Sequence, residues 1–321
     1  MRAIRVHEFG TPEVLVLEDV PGPIAGAGEV LVRVDAAGVN PVDTYVRAGT
    51  YSELPALPYT PGSDAGGMIV GVGPGGAWRR EVGQRVYTTG SVTGTYAELA
   101  ICKAEQVRAL PDGVSAQQGA ALGVPYATAF RALFQRGHAA SGEALLVHGA
   151  SGGVGLAVVQ FALAAGLNVI GTAGSGPGRA LVAAQGVEHV LDHRDPGHLQ
   201  AVVGLTAGHG ADLIVELLAN VNLSYDLPAL AVGGRVVVVG SRGRVKIDPR
   251  DLMDRDADVR GMRMPNATPG DLAEAYAAIA SGLADGRLRP VVGRELRLAE
   301  APRAHREIIA GPACGKIVLV P

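Results

Sequence analysis

The sequence has few cysteines, few aromatic residues and one long stretch without charge. Two cysteines among 321 residues, Cys102 and Cys314, exclude a disulfide framework and a four-cysteine metal site. Lys and Arg number 28 against 31 Asp and Glu, and the net charge of −3 argues against a dedicated nucleic-acid-binding protein. Residues 1–5 lack the apolar run of a signal peptide, so we expect a cytoplasmic protein.

The stretch without charge runs from Ala144 to Gly178. A membrane span needs only about 20 apolar residues, so length alone does not exclude one. Glycines interrupt this stretch, however, and that many glycines argue against one continuous helix. They are Gly149, Gly152, Gly153, Gly155 and Gly166. We therefore predict no transmembrane helix here.

The pattern of apolar residues divides the chain into three segments. Residues 1–125 are rich in Gly and Pro turns, and the alternation in Glu29–Asp35 predicts a half-buried strand. Residues 126–262 carry continuous apolar strands separated by helical stretches, which predicts a parallel sheet covered on both faces. Those strands are Ala144–Val147, Asn168–Thr172, Asp212–Leu218 and Arg235–Gly240.

Residues 263–321 form the third segment. The apolar spacing in Asp271–Ser281 predicts a helix, and Lys316–Val320 predicts a final strand. We expect this strand to return to the first segment.

A glycine-rich turn follows the first apolar strand of the second segment. The turn, His148–Gly155, precedes the almost wholly apolar helix predicted over Val154–Ala165. Its glycines allow close approach to a pyrophosphate, and the helix N-terminus offers N–H groups and the positive end of a dipole. A turn that only packs helix against strand is the alternative. We predict phosphate binding by Gly149, Ala150, Ser151, Gly152, Gly153, Val154 and Gly155.

The end of the second strand bears on which dinucleotide binds. NAD-dependent enzymes place an acid about 20 residues after the glycines, where it binds the ribose 2′-hydroxyl. Here the first charged residue is Arg179 and the first acid is Glu188. A carboxylate would repel a 2′-phosphate and an arginine would attract it, so Gly174, Ser175 and Arg179 predict NADP(H) as the cofactor. A solvated Arg179 without a ligand is the alternative.

Several motifs together resemble the zeta-crystallin type of NADPH:quinone oxidoreductase, within the medium-chain dehydrogenase/reductase superfamily. The resemblance covers the whole chain and rests on Gly38–Tyr45, Pro58–Asp64, His148–Gly155, Leu218–Leu223 and Val239–Gly243. It implies an α/β protein with a GroES-like β domain (1–125) and a Rossmann domain with a doubly wound parallel sheet (126–262). The C-terminal segment (263–321) is implied to return to the first domain.

The resemblance also predicts whether the site can bind a catalytic zinc ion. Zinc alcohol dehydrogenases of this superfamily bind their catalytic metal through a Cys and a His-Glu pair, and here Asn40, Ser63 and Asp64 stand in those places. Asn and Ser do not replace thiolate or imidazole ligands. We therefore expect a metal-free site and no ordinary zinc-dependent oxidation of alcohols.

The resemblance implies roles for other side chains. Asn40, Tyr45 and Tyr51 are implied catalytic residues at the nicotinamide and acceptor pocket, with Asn40 also contacting the cofactor. For the two tyrosines, a surface or packing role is the alternative. Asn220, Ser241 and Arg242 follow apolar strands, at the sheet edge where ligands bind. These three and Thr128 are the remaining implied cofactor contacts.

The implied activity is NADPH-dependent reduction of a quinone in the cleft between the domains. Reduction of the C=C bond of an enal or enoyl thioester is the alternative, for which Tyr45 or Tyr51 would donate a proton. An RNA-binding or structural crystallin-like role is a third hypothesis, and the net charge argues against RNA. The acceptor's identity and the choice between one- and two-electron transfer stay open.

The expected partners are a quinone or other conjugated carbonyl compound and further copies of the chain. We expect neither a membrane nor a nucleic acid as a partner. The resemblance implies a homodimer or homotetramer, with pairing near Arg235–Gly240 and Arg260–Met264.

Overall fold

The computed structural model describes residues 1–75 and 81–321. The described strands are β1 (Arg2–Arg5), β2 (Val16–Asp19), β3 (Glu29–Gly38), β4 (Asp64–Val72), β5 (Arg85–Thr88), β6 (Leu99–Lys103), β7 (Val107–Ala109), β8 (Ala144–Val147), β9 (Asn168–Thr172), β10 (His189–Leu191), β11 (Ala211–Glu216), β12 (Leu230–Val238), β13 (Asp258–Gly261), β14 (Val292–Arg297) and β15 (Lys316–Val320). The described α-helices are α1 (Pro41–Arg47), α2 (Ala116–Gly119), α3 (Gly123–Phe130), α4 (Gly153–Ala164), α5 (Gly176–Ala183), α6 (His198–Leu205), α7 (Ala219–Asp226), α8 (Pro249–Met253), α9 (Pro269–Ala284) and α10 (Ala301–Ala310).

These elements belong to two compact units. Unit 1 contains Met1–Val124 and Pro290–Pro321, and unit 2 contains Pro125–Arg289. The sequence placed 263–289 with the first domain, and the structure instead places them in unit 2. The reason is that α9 is anchored there: Arg131 Nη1 donates to Asp271 Oδ2 at 2.8 Å.

Unit 1 is built on a seven-stranded sheet. Its order is β14-β15-β3-β4-β5-β7, with β6 pairing with the other end of β3. The final strand β15 runs antiparallel to β3, with Val318 opposite Gly38. The predicted C-terminal return to the first domain is therefore confirmed. The core combines β1, β3 and the C-terminal residues, with Ile4, Val34 and Leu319 in one buried cluster.

Unit 2 is built on a six-stranded parallel sheet. Its order is β10-β9-β8-β11-β12-β13, so the chain moves outward from β8 first to one side and then to the other. This is the doubly wound arrangement predicted from the continuous apolar strands. Its strands bury residues such as Leu146, Ile214 and Val236. The reversal of strand order at β8 brings the carboxyl ends of β8 and β11 together, which is where such sheets bind ligands.

The stretch without charge forms the inner part of this sheet. It supplies β8, α4 and β9, and most of α4 is buried. Uncharged residues are needed there because a parallel sheet is covered on both faces. Within residues 1–75 and 81–321, no helix has the length and apolar character to cross a membrane.

Candidate functional site

The glycine turn between β8 and α4 has the local geometry predicted for it. Gly149 has φ +58°, a left-handed conformation that glycine adopts readily. A Cβ on Gly155 would lie 2.4 Å from the carbonyl oxygen of Gly149, so the close packing of helix against turn requires glycine there. The N–H of Ala150 donates to the Thr172 carbonyl at 2.8 Å and ties the turn to the neighbouring strand β9.

The N-terminus of α4 faces this turn without a side-chain cap. Its N-cap residue, Gly152, has an extended backbone (φ −82°, ψ 172°) and no side chain to accept a hydrogen bond. The first N–H groups of a helix have no partner within the helix. Gly153, Val154 and Gly155 therefore present N–H groups and a partial positive charge, the arrangement that binds phosphate elsewhere. The turn fits the pyrophosphate of a dinucleotide.

The end of β9 leads into the second part of the predicted cofactor site. Ser175 caps α5, its Oγ accepting from the N–H of Gly178 at 3.1 Å. Arg179 lies one turn along α5 and forms an ion pair with Asp192, Nη1 to Oδ2, at 2.7 Å. Sequence reasoning found no acid between the glycines and Glu188, but β10 pairs with β9 and so places Asp192 beside Arg179. The region is therefore not free of acids.

Two residues that sequence reasoning missed lie beside Gly174. A Cβ on Gly174 would meet His193 Nε2 at 2.5 Å and Arg194 Nε at 3.2 Å. The N–H of Arg194 donates to Asp192 Oδ1 at 3.0 Å, which fixes the loop. Burial, followed by the positive charge of His148, lowers the pKa of His193. The signal in the sequence was the pair His193-Arg194 directly after a short strand.

The loop after β12 is joined to the loop after β11. Asn220 Oδ1 accepts from the N–H of Arg242 at 2.8 Å, and Ser241 Oγ donates to the Gly243 carbonyl at 3.0 Å. Ser241 and Arg242 are exposed and Asn220 is half-buried. The three residues predicted from strand ends are thus brought together at the carboxyl edge of the sheet.

The predicted catalytic side chains lie in unit 1. Tyr45 on α1 and Tyr51 just beyond it are half-buried, whereas Asn40 is 2% exposed. Thr128 lies on α3 in unit 2 and is buried. Thr50 Oγ1 donates to the Tyr45 carbonyl at 3.2 Å and closes the turn after α1.

Asn40 belongs to a buried polar cluster with Asp64 and Lys316, the last of which sequence reasoning missed as a site residue. Asn40 Nδ2 donates to Asp64 Oδ2 at 2.9 Å, and Lys316 Nζ donates to Asn40 Oδ1. The ammonium also lies 3.4 Å from Asp64 Oδ2, and Lys316 is 4% exposed. Burial lowers the pKa of Lys316, while Asp64 and Asp43 oppose that effect.

Two members of this cluster, Asn40 and Asp64, stand with Ser63 at the places that the resemblance assigns to the superfamily's zinc ligands. Asn40 and Ser63 lack the thiolate and imidazole that zinc prefers, and the Lys316 ammonium lies where it would repel a divalent cation. The residues present do not fit a catalytic zinc. The chain has only three lysines, and one of them, Lys316, stands at the start of a predicted apolar strand. That position was the sequence signal for a functional lysine.

A second set of buried groups continues from Asn40. Asp43 Oδ2 accepts from the N–H of Asn40 at 2.9 Å and from the Tyr96 hydroxyl at 3.1 Å. The same hydroxyl lies 3.2 Å from His305 Nε2. Burial raises the pKa of Asp43 to about 6, and burial lowers the pKa of His305 to about 3. His305 is therefore neutral near pH 7, and it contacts Tyr96 as an uncharged ring.

Comparison with known proteins agrees with the fold and with the resemblance. Residues 26–112 match the family described as alcohol dehydrogenase GroES-like domain, and residues 153–281 match zinc-binding dehydrogenase. The chain is 46% identical to the quinone oxidoreductase of Homo sapiens, over 100% of this chain and 98% of the relative.

Solved structures extend the comparison. The mycobacterial protein Rv1454c, solved in complex with NADPH, is similar with a TM-score of 0.91 and 30% identity over the full length of both chains. CurK enoyl reductase has a TM-score of 0.89 at 24% identity, over 99% of this chain and 98% of its own, which shows a shared fold alone.

A GroES-like unit and a Rossmann unit in one chain define the medium-chain dehydrogenases/reductases. Within that superfamily the chain belongs to the quinone oxidoreductase family. The residues matched to the family described as zinc-binding dehydrogenase, 153–281, include none of Asn40, Ser63 and Asp64, so this match says nothing about the zinc-ligand places.

Proposed function

We propose that this protein catalyses NADPH-dependent reduction of quinones without a metal. The observation that carries the proposal is full-length identity of 46% to quinone oxidoreductases, in a chain whose zinc-ligand places hold Asn40, Ser63 and Asp64, with a lysine ammonium beside Asn40 and Asp64. A quinone is already electrophilic, so its reduction needs little polarisation by a Lewis acid.

NADPH, when bound, supplies the reducing electrons, and the chain supplies binding and orientation. We assign the pyrophosphate to the predicted turn, Gly149–Gly155, where the uncapped start of α4 offers N–H groups. We assign the nicotinamide half to Asn40, Thr128, Asn220, Ser241 and Arg242, as the family resemblance implies. The Asn220–Arg242 hydrogen bond would hold one side of this region in a fixed shape.

The 2′-phosphate is assigned to the residues Gly174, Ser175 and Arg179. Because Asp192 offsets the charge of Arg179, we propose that Arg194 and His193 supply much of the attraction for the phosphate. An arginine in an ion pair with a carboxylate can still donate hydrogen bonds from its remaining N–H groups. We therefore propose that Arg179 mainly orients the phosphate and contributes less to its attraction.

The proposed acceptor site includes Tyr45, Tyr51 and Asn40. Asn40 has one amide N–H and one lone pair left after its bonds to Asp64 and Lys316, so it can still accept or donate one bond in a fixed direction. The tyrosines offer ring faces for a planar acceptor and hydroxyl groups for a proton.

Steady-state kinetics with a panel of quinones and enals tests the proposed activity. We expect NADPH to be preferred to NADH, quinones to be preferred to enals, and chelators to leave the rate unchanged. A preference for enals would instead establish C=C reduction, and Tyr45→Phe and Tyr51→Phe would then show which hydroxyl protonates the product. Loss of activity on chelation would contradict a metal-free reaction.

The source of cofactor preference has its own test. We expect Arg194→Ala to lower the ratio of kcat/KM for NADPH over NADH about tenfold, and Arg179→Ala to lower it less, since a hydrogen bond to a charged group contributes about 1.5–3 kcal/mol. Arg287→Ala is a matched control because its guanidinium pairs with Asp285 on the exposed surface of the same unit. A loss for Arg179→Ala larger than that for Arg194→Ala would return the main role to Arg179, and equal losses would contradict a larger share for Arg194.

We further propose a cytoplasmic homodimer or homotetramer. Both cysteines are free thiols, which agrees with a reducing compartment. The edge strand β13 exposes Val259, which agrees with pairing at this edge. Light scattering of the purified protein measures the assembly.

A further inference from the structure

One buried group of titratable side chains in unit 2 has no role in the proposed reaction. It comprises His148, Glu216 and Asp226, which are 2%, 0% and 0% exposed. His148 follows β8, Glu216 ends β11 and Asp226 ends α7. We call these three residues the carboxyl–histidine cluster. They connect the start of the glycine turn after β8 to the segment after β11 that carries Asn220, and both of these are assigned to the cofactor site.

Most polar atoms of this cluster have defined partners. His148 Nε2 lies 2.7 Å from Asp226 Oδ1 and 3.7 Å from Glu216 Oε2. Glu216 Oε1 accepts from the N–H of Leu218 and from Asn222 Nδ2, the latter at 3.2 Å. The Glu216 side chain therefore holds the start of α7, where Asn220 lies.

Two oxygens of the cluster are left over. Within the described part of the chain, neither Glu216 Oε2 nor Asp226 Oδ2 has a hydrogen-bond donor, although both are buried. A carboxylate oxygen of Glu216 nevertheless lies within 4.8 Å of one of Asp226. Two buried carboxylates in contact repel each other, whereas one proton placed between them satisfies both oxygens at once.

We infer that Glu216 and Asp226 share one proton, and that the carboxyl–histidine cluster so protonated is a positioning group for the cofactor site. With the proton in place, His148 donates to one side of Asp226 and Glu216 donates to the other. The phosphate turn after His148 is then fixed to the loop that carries Asn220 and, through it, Arg242. Loss of the proton leaves two carboxylates facing each other and loosens that connection.

The surroundings of the cluster agree with a proton held there. Burial raises the pKa of Glu216 to about 7, with His148 opposing and Asp226 adding to the effect. For His148, burial lowers the pKa, but the hydrogen bond and charge of Asp226 and the charge of Glu216 outweigh it, and the net pKa is raised. The other titratable groups facing the cluster are His198 on α6, whose ring packs edge-on against His148 at 6.0 Å, and His193.

Glu216→Gln is the decisive variant, because a Gln amide reproduces the protonated carboxyl group. Its oxygen can still accept from Leu218 and Asn222, and its NH2 group can donate to Asp226 at any pH. Fluorescence titration with NADPH measures Kd for the wild type and the variant between about pH 6 and pH 8, the range in which Glu216 loses its proton. His209→Gln, which removes an exposed His–Asp pair at the other end of β11, is the matched control.

We expect equal Kd values at the acidic end and a Kd for the wild type at least about threefold weaker than that of Glu216→Gln at the basic end. Titration of the 2′-phosphate of NADPH affects both proteins alike, so the ratio of the two Kd values isolates the cluster. Parallel pH curves would overturn the inference, as would wild-type binding that is already weaker at the acidic end. His209→Gln should follow the wild type at each pH.

A measurement on the unliganded protein covers the case of a variant that does not fold. An infrared pH titration in the Asp43→Asn background, which removes a buried carboxyl group with a pKa of about 6, should show one protonated carboxyl band lost near pH 7. Absence of that band would overturn the inference.

The inference rests on the proposed NADPH site, and failure of the inference can be told from failure of the proposed function. A wild type that does not bind NADPH refutes the proposed function, whereas NADPH binding with unaltered pH curves refutes only the cluster's role.

Discussion

The two units each bury a cluster of ionisable side chains, and the clusters differ in how their carboxylates are balanced. In unit 1 the Lys316 ammonium lies against Asn40 and Asp64 and balances the Asp64 carboxylate. In unit 2 the carboxyl–histidine cluster has two carboxyl groups and one imidazole, so it has more acid than base. In the unit 1 cluster the Lys316 ammonium balances a carboxylate, whereas in the unit 2 cluster a shared proton balances one.

This difference determines how each region responds to its surroundings. A buried ion pair is costly to break, because removing one partner leaves the other charged and unpaired. A shared proton can be lost as pH rises, and no residue has to be removed. Asn40 is therefore supported both by an ion pair between two residues and by Asp43, whose pKa is about 6, whereas the phosphate turn after His148 is supported by a shared proton.

The largest effect should follow from removing the built-in cation. We expect Lys316→Met to lower the free energy of unfolding by about 4 kcal/mol, because Asp64 would remain buried without its ammonium partner. Urea denaturation of wild type and variant measures this difference. Lys246→Met, at an exposed lysine, should change it by less than about 0.5 kcal/mol. Similar stabilities for the two variants would show that the cation contributes nothing to unit 1.

A somewhat smaller effect should appear when the acid next to this cluster titrates. The folded pKa of Asp43, about 6, lies above its ordinary value of 3.8, so the folded state binds the proton more tightly than the unfolded state. Stability from this group is therefore present below about pH 4 and is lost as pH rises through 6, by about 3 kcal/mol in total. Unfolding free energies measured from pH 4 to 7 should fall less steeply in Asp43→Asn than in wild type. The same slope in both proteins would assign the pH dependence to other groups.

The smallest of the three effects should come from unit 2. Asp226→Asn keeps the shape of the side chain but removes the charge that holds His148, and we expect a loss of about 2 kcal/mol. The exposed pair broken by His209→Gln should cost less than about 1 kcal/mol. Thermal and urea unfolding both report the difference. A loss for Asp226→Asn as large as that for Lys316→Met would remove the contrast between the two clusters.

Patterns within short segments predicted much of the fold. The strands Ala144–Val147, Asn168–Thr172 and Lys316–Val320 have the bounds expected from the sequence, because each is a continuous apolar run between turn residues. The glycine turn was identified in the same way, since its glycines are required by contacts with residues only a few positions away. Family resemblance supplied the architecture of the whole chain.

Contacts between distant segments were not predictable in this way. Lys316 and Asn40 are 276 positions apart, and the sequence around either residue does not indicate that the two are in contact. Asp192 reaches Arg179 only because the third strand of the unit pairs with the second, which periodicity does not specify. The boundary at Arg289 was also missed, because the contact between Arg131 and Asp271 that fixes α9 depends on side chains 140 positions apart.

The discontinuous composition of unit 1 has a consequence for biosynthesis. Unit 2 is one uninterrupted stretch, so all of its partners have been synthesised once Arg289 leaves the ribosome. The sheet of unit 1 still lacks β14 and β15 at that moment. Asp64 also lacks its ion-pair partner, because Lys316 lies 252 positions later in the chain. Domains generally fold as units during synthesis. The nucleotide-binding part is therefore expected to mature before the part that holds Asn40, although it comes later in the sequence.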